Sequence, residues 1–152
     1  KELPSNNNSP SYIPYNDRFI MGGNGIPYGN VLRGYDDNRV GPLTSTGNPI
    51  GGNTLVKFST EFRVPFAENP VVYGMVFAEM GNVWSSTDLM ERLSLPRSGP
   101  LDLKRSVGVG VRFFMPMIGM LGFDFARGFD RVDINGKLKP EWKTTLTFGQ
   151  QF

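Results

Sequence analysis

Arg33 is the residue in this chain best placed to do chemistry of recognition. It stands in "LRGYDD", Leu32 to Asp37, between an aliphatic and a glycine and ahead of an aromatic and two acids, within fifty residues rich in Gly, Pro and Asn. A guanidinium offers a planar fork of donors that fits carboxylates and keeps its charge under all ordinary conditions. An arginine drawn into a closed space therefore needs acids as partners. Two strand carboxylates qualify: Glu61 in "STEF", and Glu79 in "FAEMG", the single charge in an otherwise apolar stretch.

Other chemistry is thinly provided for. The chain has no Cys and no His, which removes thiol nucleophiles, Cys/His zinc sites and imidazole acid–base work. "GGNG" at 22–25 is neither a dinucleotide fingerprint nor a Lys-containing phosphate loop. Asp36, Asp37 and Asn38 lack the alternating spacing and terminal Glu of a calcium loop, and read as solvated turn residues. No catalytic residue, metal or cofactor is expected. Sixteen basic against fourteen acidic residues give a net charge of +2, far from a nucleic-acid footprint, so nucleic acid is not an expected partner.

The elements that must position these groups are strands. Residues 1–50 carry loop chemistry with no sustained period. From residue 51 the pattern alternates. "NTLVKFSTEFRV" sets Val56, Phe58, Phe62 and Val64 against Lys57, Ser59, Glu61 and Arg63. Likewise Val107, Val109, Val111 and Phe113 oppose Ser106, Gly108, Gly110 and Arg112, and Leu121, Phe123, Phe125 and Phe129 oppose Gly122, Asp124, Ala126 and Gly128. The last segment sets Trp142, Thr144, Leu146, Phe148 and Phe152 against Lys143, Thr145, Thr147, Gly149 and Gln151.

The segment 71–84, "VVYGMVFAEMGNVW", is apolar on both faces, so the inward side chains Tyr73, Met75 and Phe77 must meet something drier than water. A loop folded back against them would meet that need. Segments of about ten residues suit a tilted crossing of a bilayer, and links that alternate short (65–70, 116–119) with longer (85–102, 131–140) suit an outer-membrane barrel. Aromatics near strand ends (Phe66, Tyr73, Trp84, Trp142, Phe152) fit its girdles. A soluble sandwich would alternate too. If the barrel reading holds, substitutions on the inner face should be far better tolerated than charges on the outer one.

Several consecutive blocks carry a resemblance: "DRFIMGGNGIPYGNVLRGYDDNRVGP", "GGNTLVKFSTEFRVPF", "VVYGMVFAEMGNVW", "LKRSVGVGVRFFMPMIGMLGFDFARGFD" and "TLTFGQQF". In this order they resemble the C-terminal part of the BamA family of outer-membrane β-barrel assembly factors, and "LRGY" looks like that family's V-R-G-F/Y motif. The resemblance implies an all-β fold, the C-terminal portion of a 16-stranded antiparallel transmembrane barrel with a long loop in its lumen. It implies that 1–50 is mostly the sixth extracellular loop and that 51–152 holds the last five strands, at about 51–64, 71–84, 104–115, 120–130 and 142–152.

By the same resemblance, the chain is expected to serve in an outer-membrane assembly machinery of a Gram-negative bacterium and to fold client barrels without covalent chemistry. Its expected partners are client outer-membrane proteins, the lipid bilayer, the rest of the barrel with periplasmic POTRA domains, and accessory Bam lipoproteins. Leu32, Arg33, Gly34 and Tyr35 would form the loop anchor, with Glu61 and Glu79 as its acids. Trp142, Leu146, Phe148, Gly149 and Phe152 would form the lateral seam and C-terminal signal. A two-partner secretion translocator of the same superfamily and a plugged porin-like barrel are the alternatives. Five strands alone cannot close a barrel, so the chain is expected to be a fragment or one part of a split barrel.

Overall fold

A computed structural model describes residues 13–25, 28–85, 99, 102–117, 119–132 and 137–148. Its frame is one antiparallel sheet in sequence order: β1 (Thr54–Glu68), β2 (Val71–Trp84), β3 (Lys104–Met115), β4 (Gly119–Gly128) and β5 (Glu141–Phe148). Alternation of side-chain character is what makes these segments strands, because each step of the backbone turns successive residues to opposite faces.

β2 and β3 keep the expected bounds, β4 spans Gly119–Gly128 rather than 120–130, β1 starts at Thr54 rather than 51, and the far ends of β1 and β5 depart further. β1 runs through Pro65 to Glu68 rather than stopping at residue 64, with a register shift between Pro65 and Ala67. A proline is tolerated at a bulge, where no ladder hydrogen bond is lost, and the register shift supplies one here. The turn to β2 is therefore only Asn69 and Pro70. At the other end, the expected strand 142–152 is described as Glu141–Phe148, and Gly149 and Phe152 lie outside the described residues, as does most of 85–102.

Parity sorts the two faces. Phe58, Phe62, Val64, Val76, Met80, Val109, Phe123, Phe125, Trp142, Leu146 and Phe148 are all exposed on the convex side. Phe125 and Trp142 stack there at 4.6 Å, as neighbouring aromatics on one sheet face do. Exposing this much continuous apolar surface to water is costly, whereas hydrocarbon accepts it. Tyr73 does not join the aromatic girdle: it lies on the concave side, where the Arg63 guanidinium sits over its ring.

The concave side holds the buried residues. One cluster joins Met21, Leu32, Tyr35 and Val40 of the N-terminal segment to Val83 of β2, with Leu55 packed against it. A second joins Met75 and Phe77 of β2 to Ala126 of β4. The segment 13–53 is thus folded against the sheet. Isolated bridges such as Met21 with Val40 and Gly23 with Leu32 satisfy its backbone without making a strand, which is why it shows no period.

The inner face is also less permissive than expected. A Cβ at Gly108 would stand 2.5 Å from the Phe77 ring and 2.7 Å from the Phe125 carbonyl, and one at Gly110 would meet the Asp124 carboxylate at 2.2 Å. These glycines make room for large neighbours. In the complete barrel in lipid, Val109→Arg should cost about 2–4 kcal/mol and Val109→Leu less than about 1, while Gly108→Ala costs about 1–3 by contact alone. Denaturant titration in vesicles measures all three. Equal stability of the Arg and Leu variants would show that Val109 does not face lipid.

Candidate functional site

The site is built where the N-terminal segment crosses the concave face. Leu32 is fully buried and its N–H donates to the Gly23 carbonyl, so the chain enters Arg33 from a fixed point. Gly34 follows with φ of +86°, a region that side chains other than hydrogen rarely occupy. A Cβ there would lie 2.9 Å from the backbone N of Gly128 and 3.1 Å from the backbone of Arg127. Its counterpart at Gly128 would lie 2.6 Å from the Gly34 carbonyl. Two glycines from distant parts of the chain therefore meet backbone to backbone.

Tyr35 ends the tether. Its hydroxyl donates to the Arg105 carbonyl at 2.7 Å and accepts from the Asp130 N–H at 3.3 Å, and its ring lies against Gly128. Of β2, the ring shares a cluster with Val83 rather than with Tyr73, Met75 or Phe77, so its main footing is at the ends of β3 and β4. Burial pushes the Tyr35 phenol well above its ordinary pKa, which keeps the hydroxyl a donor.

Arg33 itself is 5% exposed. Its Nε and Nη2 donate to Glu79 Oε1 at 3.1 and 2.7 Å, its backbone N–H donates to Glu79 Oε2 at 2.9 Å, and Nη2 also donates to Glu61 Oε1 at 2.6 Å. Burial opposes the charge, but bonds and charges from both glutamates outweigh it and raise the Arg33 pKa. The acids are not opposite one another. The register pairs Glu79 with Ser59 and Glu61 with Phe77. That diagonal leaves Phe77 beneath the guanidinium, 3.6 Å from carbon to ring centroid, so the rim of the fork meets carboxylates and its flat face meets the ring.

Further charges complete the cluster, and sequence reasoning did not pair them. Arg112 holds Asp124 through two bonds of 2.8 and 2.7 Å, and Asp124 stands 4.0 Å from Arg33 Nη1. Lys57 lies 3.4 Å from Glu79, and Arg63 grips the outer oxygen of Glu61. The inward parity of Arg112 and Asp124 was the available signal. Their adjacency required the β3–β4 register. Beside the cluster a concave cavity of about 890 Å³ is lined by Lys57, Arg63, Tyr73, Arg112 and Thr147 among others. Among the described residues no group of acids is placed to hold a metal.

Asp36 departs from expectation. It is half exposed, but Arg131 and Lys143 both donate to its carboxylate, tying the segment to the β4–β5 connection and to β5. Asp37 accepts from the Asn24 N–H at 2.7 Å. Neither is simply a solvated turn residue. The seam residues Trp142, Leu146 and Phe148 project from the convex side of β5, which is one edge of the sheet. They are remote from Arg33 in register.

The Omp85 superfamily domain, as a family model, matches residues 4–152, and the chain belongs to that superfamily. Its members are outer-membrane proteins of Gram-negative bacteria and of organelles that insert or translocate other proteins.

Two outcomes follow from the geometry. Gly34→Ala meets both a disfavoured φ and the Gly128 backbone, and should destabilise the seated segment by about 1–3 kcal/mol, read as increased protease cleavage within residues 13–53. The second concerns Asp36. Burial raises its pKa, but Lys143 and Arg131 outweigh that and hold it below the ordinary aspartate value of 3.8. A depressed folded pKa means its contribution is present above about 3.8 and is lost as pH falls through the lower folded value. Asp36→Asn should therefore increase cleavage at neutral pH, and an acid-stable protease should find the two proteins converging at pH values below the ordinary aspartate range.

Proposed function

From its place in the Omp85 superfamily, we propose that the chain is the C-terminal part of a BamA-type assembly subunit, with 1–50 as its sixth extracellular loop and β1 to β5 as strands twelve to sixteen. The observation that carries this reading is the seated "LRGY" motif. Its arginine is held by acids of two wall strands, its glycine against the wall's backbone, and its tyrosine by the ends of β3 and β4.

A loop bonded in this way blocks the concave space that a passive pore would need open. It also braces the wall. Membrane barrels start at about eight strands, so β1 to β5 join further strands in the closed barrel. In that barrel β5 is the closing strand, and its edge is where a client strand pairs by backbone hydrogen bonding. Such work needs no nucleotide and no covalent step. Client outer-membrane proteins, the bilayer, POTRA domains and accessory Bam lipoproteins are the partners this reading implies. Residues 149–152, with Gly149 and Phe152, would complete the seam and the C-terminal signal.

The role of Arg33 has a direct test in the complete protein. Removing it leaves Glu61 and Glu79 partly buried without their shared cation, a change that typically costs about 3–5 kcal/mol. Arg33→Ala should lower client assembly and open residues 13–53 to protease. Arg39→Ala removes an exposed charge for which no ion pair is seen among the described residues, and should change neither. Equal effects of the two substitutions would remove Arg33 from its role as the anchor of the segment. The seam is tested separately: a disulfide locking β5 to the first barrel strand should stop client insertion in a barrel that stays folded, and full activity when locked would remove the lateral-gate mechanism.

A further inference from the structure

Arg127 is a cation that neither the anchor nor the seam uses. It stands on the convex side of β4, opposite Val107 of β3 and Trp142 of β5, where parity after Phe123 and Phe125 calls for another apolar side chain. Among the described residues it forms no ion pair, and its Nε is closed off from solvent without a hydrogen-bond partner. An arginine on the lipid side of a barrel is far less costly near the interface than at the midplane. Its height meets that condition, one residue before the end of β4. The short β1–β2 and β3–β4 turns lie at the other end of the strands and the long links at this one. In outer-membrane barrels the short turns are periplasmic, which puts Arg127 at the outer leaflet.

A groove runs up to it across the sheet. Thr60, Ala78 and Val107 form one row level with Arg127. In the next row towards the long links stand Phe58, Met80 and Arg105, with the Phe129 N–H donating to the Arg105 carbonyl. Short side chains at Thr60 and Ala78 beside these large ones leave a cavity of about 430 Å³, lined by Phe58, Thr60, Ala78, Met80, Val107 and Phe129 among others. Val107 and Phe129 are neighbours of Arg127, one across the strands and one two residues along β4. β2, β3 and β4 each have a strand on either side, and closing the barrel adds strands beyond β1 and β5, not over this convex surface.

We infer that this surface is a lipid site: Arg127 holds a phosphate of an outer-leaflet glycolipid, and one acyl chain of that lipid lies in the groove between Phe58 and Phe129. This rests on the reading of the chain as part of an outer-membrane barrel of a Gram-negative bacterium, whose outer leaflet is built of acylated, phosphorylated glycolipid.

The chemistry fits that occupant. A guanidinium fork matches phosphate oxygens in pairs. Arg105 at the outer end of the groove already donates twice to Asp130, so its charge is matched and Arg127 is the cation in excess. Because Arg127 donates to nothing in the protein, turning it towards a phosphate breaks no existing bond. The apolar walls take the chain of the same molecule, so head and tail reinforce one another. An arginine that merely reached for water past the apolar band would have no preference for phosphate.

The test uses the full-length protein in detergent micelles, with bound lipid counted by native mass spectrometry. The probes are diphosphoryl lipid A, the same lipid with its phosphates removed, and phosphatidylglycerol. Lipid A should bind more tightly than its dephosphorylated form. Arg127→Gln should lower its affinity about three- to tenfold, the scale of one arginine at an anionic lipid surface, and Arg127→Lys should lose less. Ala78→Phe fills the groove and should weaken both forms of the lipid alike. Heat-modifiable gel mobility checks that each barrel is folded, and if the glutamine variant is not, the comparison of the two forms on the unaltered protein decides. Equal affinity for them, an unchanged affinity in folded Arg127→Gln, or an equal loss for phosphatidylglycerol overturns the site. A fluorophore on Val109→Cys separates this from failure of the barrel reading: with nitroxide-labelled acyl chains, quenching keeps the lipid-facing wall whatever becomes of Arg127, and no quenching overturns the wall and the site together.

Discussion

A buried guanidinium is the constraint around which the described structure is arranged. Taking Arg33 out of water is tolerable only because its donors find carboxylates and its flat face finds a ring, and no single element supplies all of these. Glu61 comes from β1, and Glu79 and Phe77 from β2. The two strands must be in register, and the segment must arrive at one height above them, before the charge is satisfied. Burying it thus selects one seating of the segment over its neighbours.

That seating extends across the sheet. The two glycines let the segment touch the backbone of β4, the Tyr35 hydroxyl joins the ends of β3 and β4, and Asp36 draws in Lys143 of β5. The N-terminal segment thus touches all five strands, although hardly any of its own residues are in regular structure. Its stability is borrowed from the wall. The wall in turn gains apolar partners for Val83 and a further cation for Glu61 and Glu79, which the strands themselves pair only with Arg63 and Lys57.

The contacts of the segment differ in kind across the sheet. The buried charges around Arg33 lie over β1 to β4. The interactions near β5 are of a cheaper kind, a half-exposed ion pair and a single neutral hydrogen bond.

How much of this was legible in the sequence depends on the distance over which each feature is determined. Alternation is local, so the five strands, their faces and the inward position of Glu61, Glu79, Arg112 and Asp124 could be read directly, and Arg33 stood out because an arginine set between Leu32 and Gly34 and followed by an aromatic implied acids elsewhere. The extension of β1 past Pro65 was not readable, since it depends on a bulge between Pro65 and Ala67. The diagonal of Glu61 and Glu79 over Phe77, the pairing of Arg112 with Asp124, the meeting of Gly34 with Gly128 and the reach of Asn24 to Leu146 were likewise hidden. Each joins residues whose relation is set by strand register and by where an aperiodic segment comes to rest. Side-chain parity is a property of a short stretch of backbone and survives without the fold, whereas register and seating are minima of the whole packed structure and exist only once it has formed.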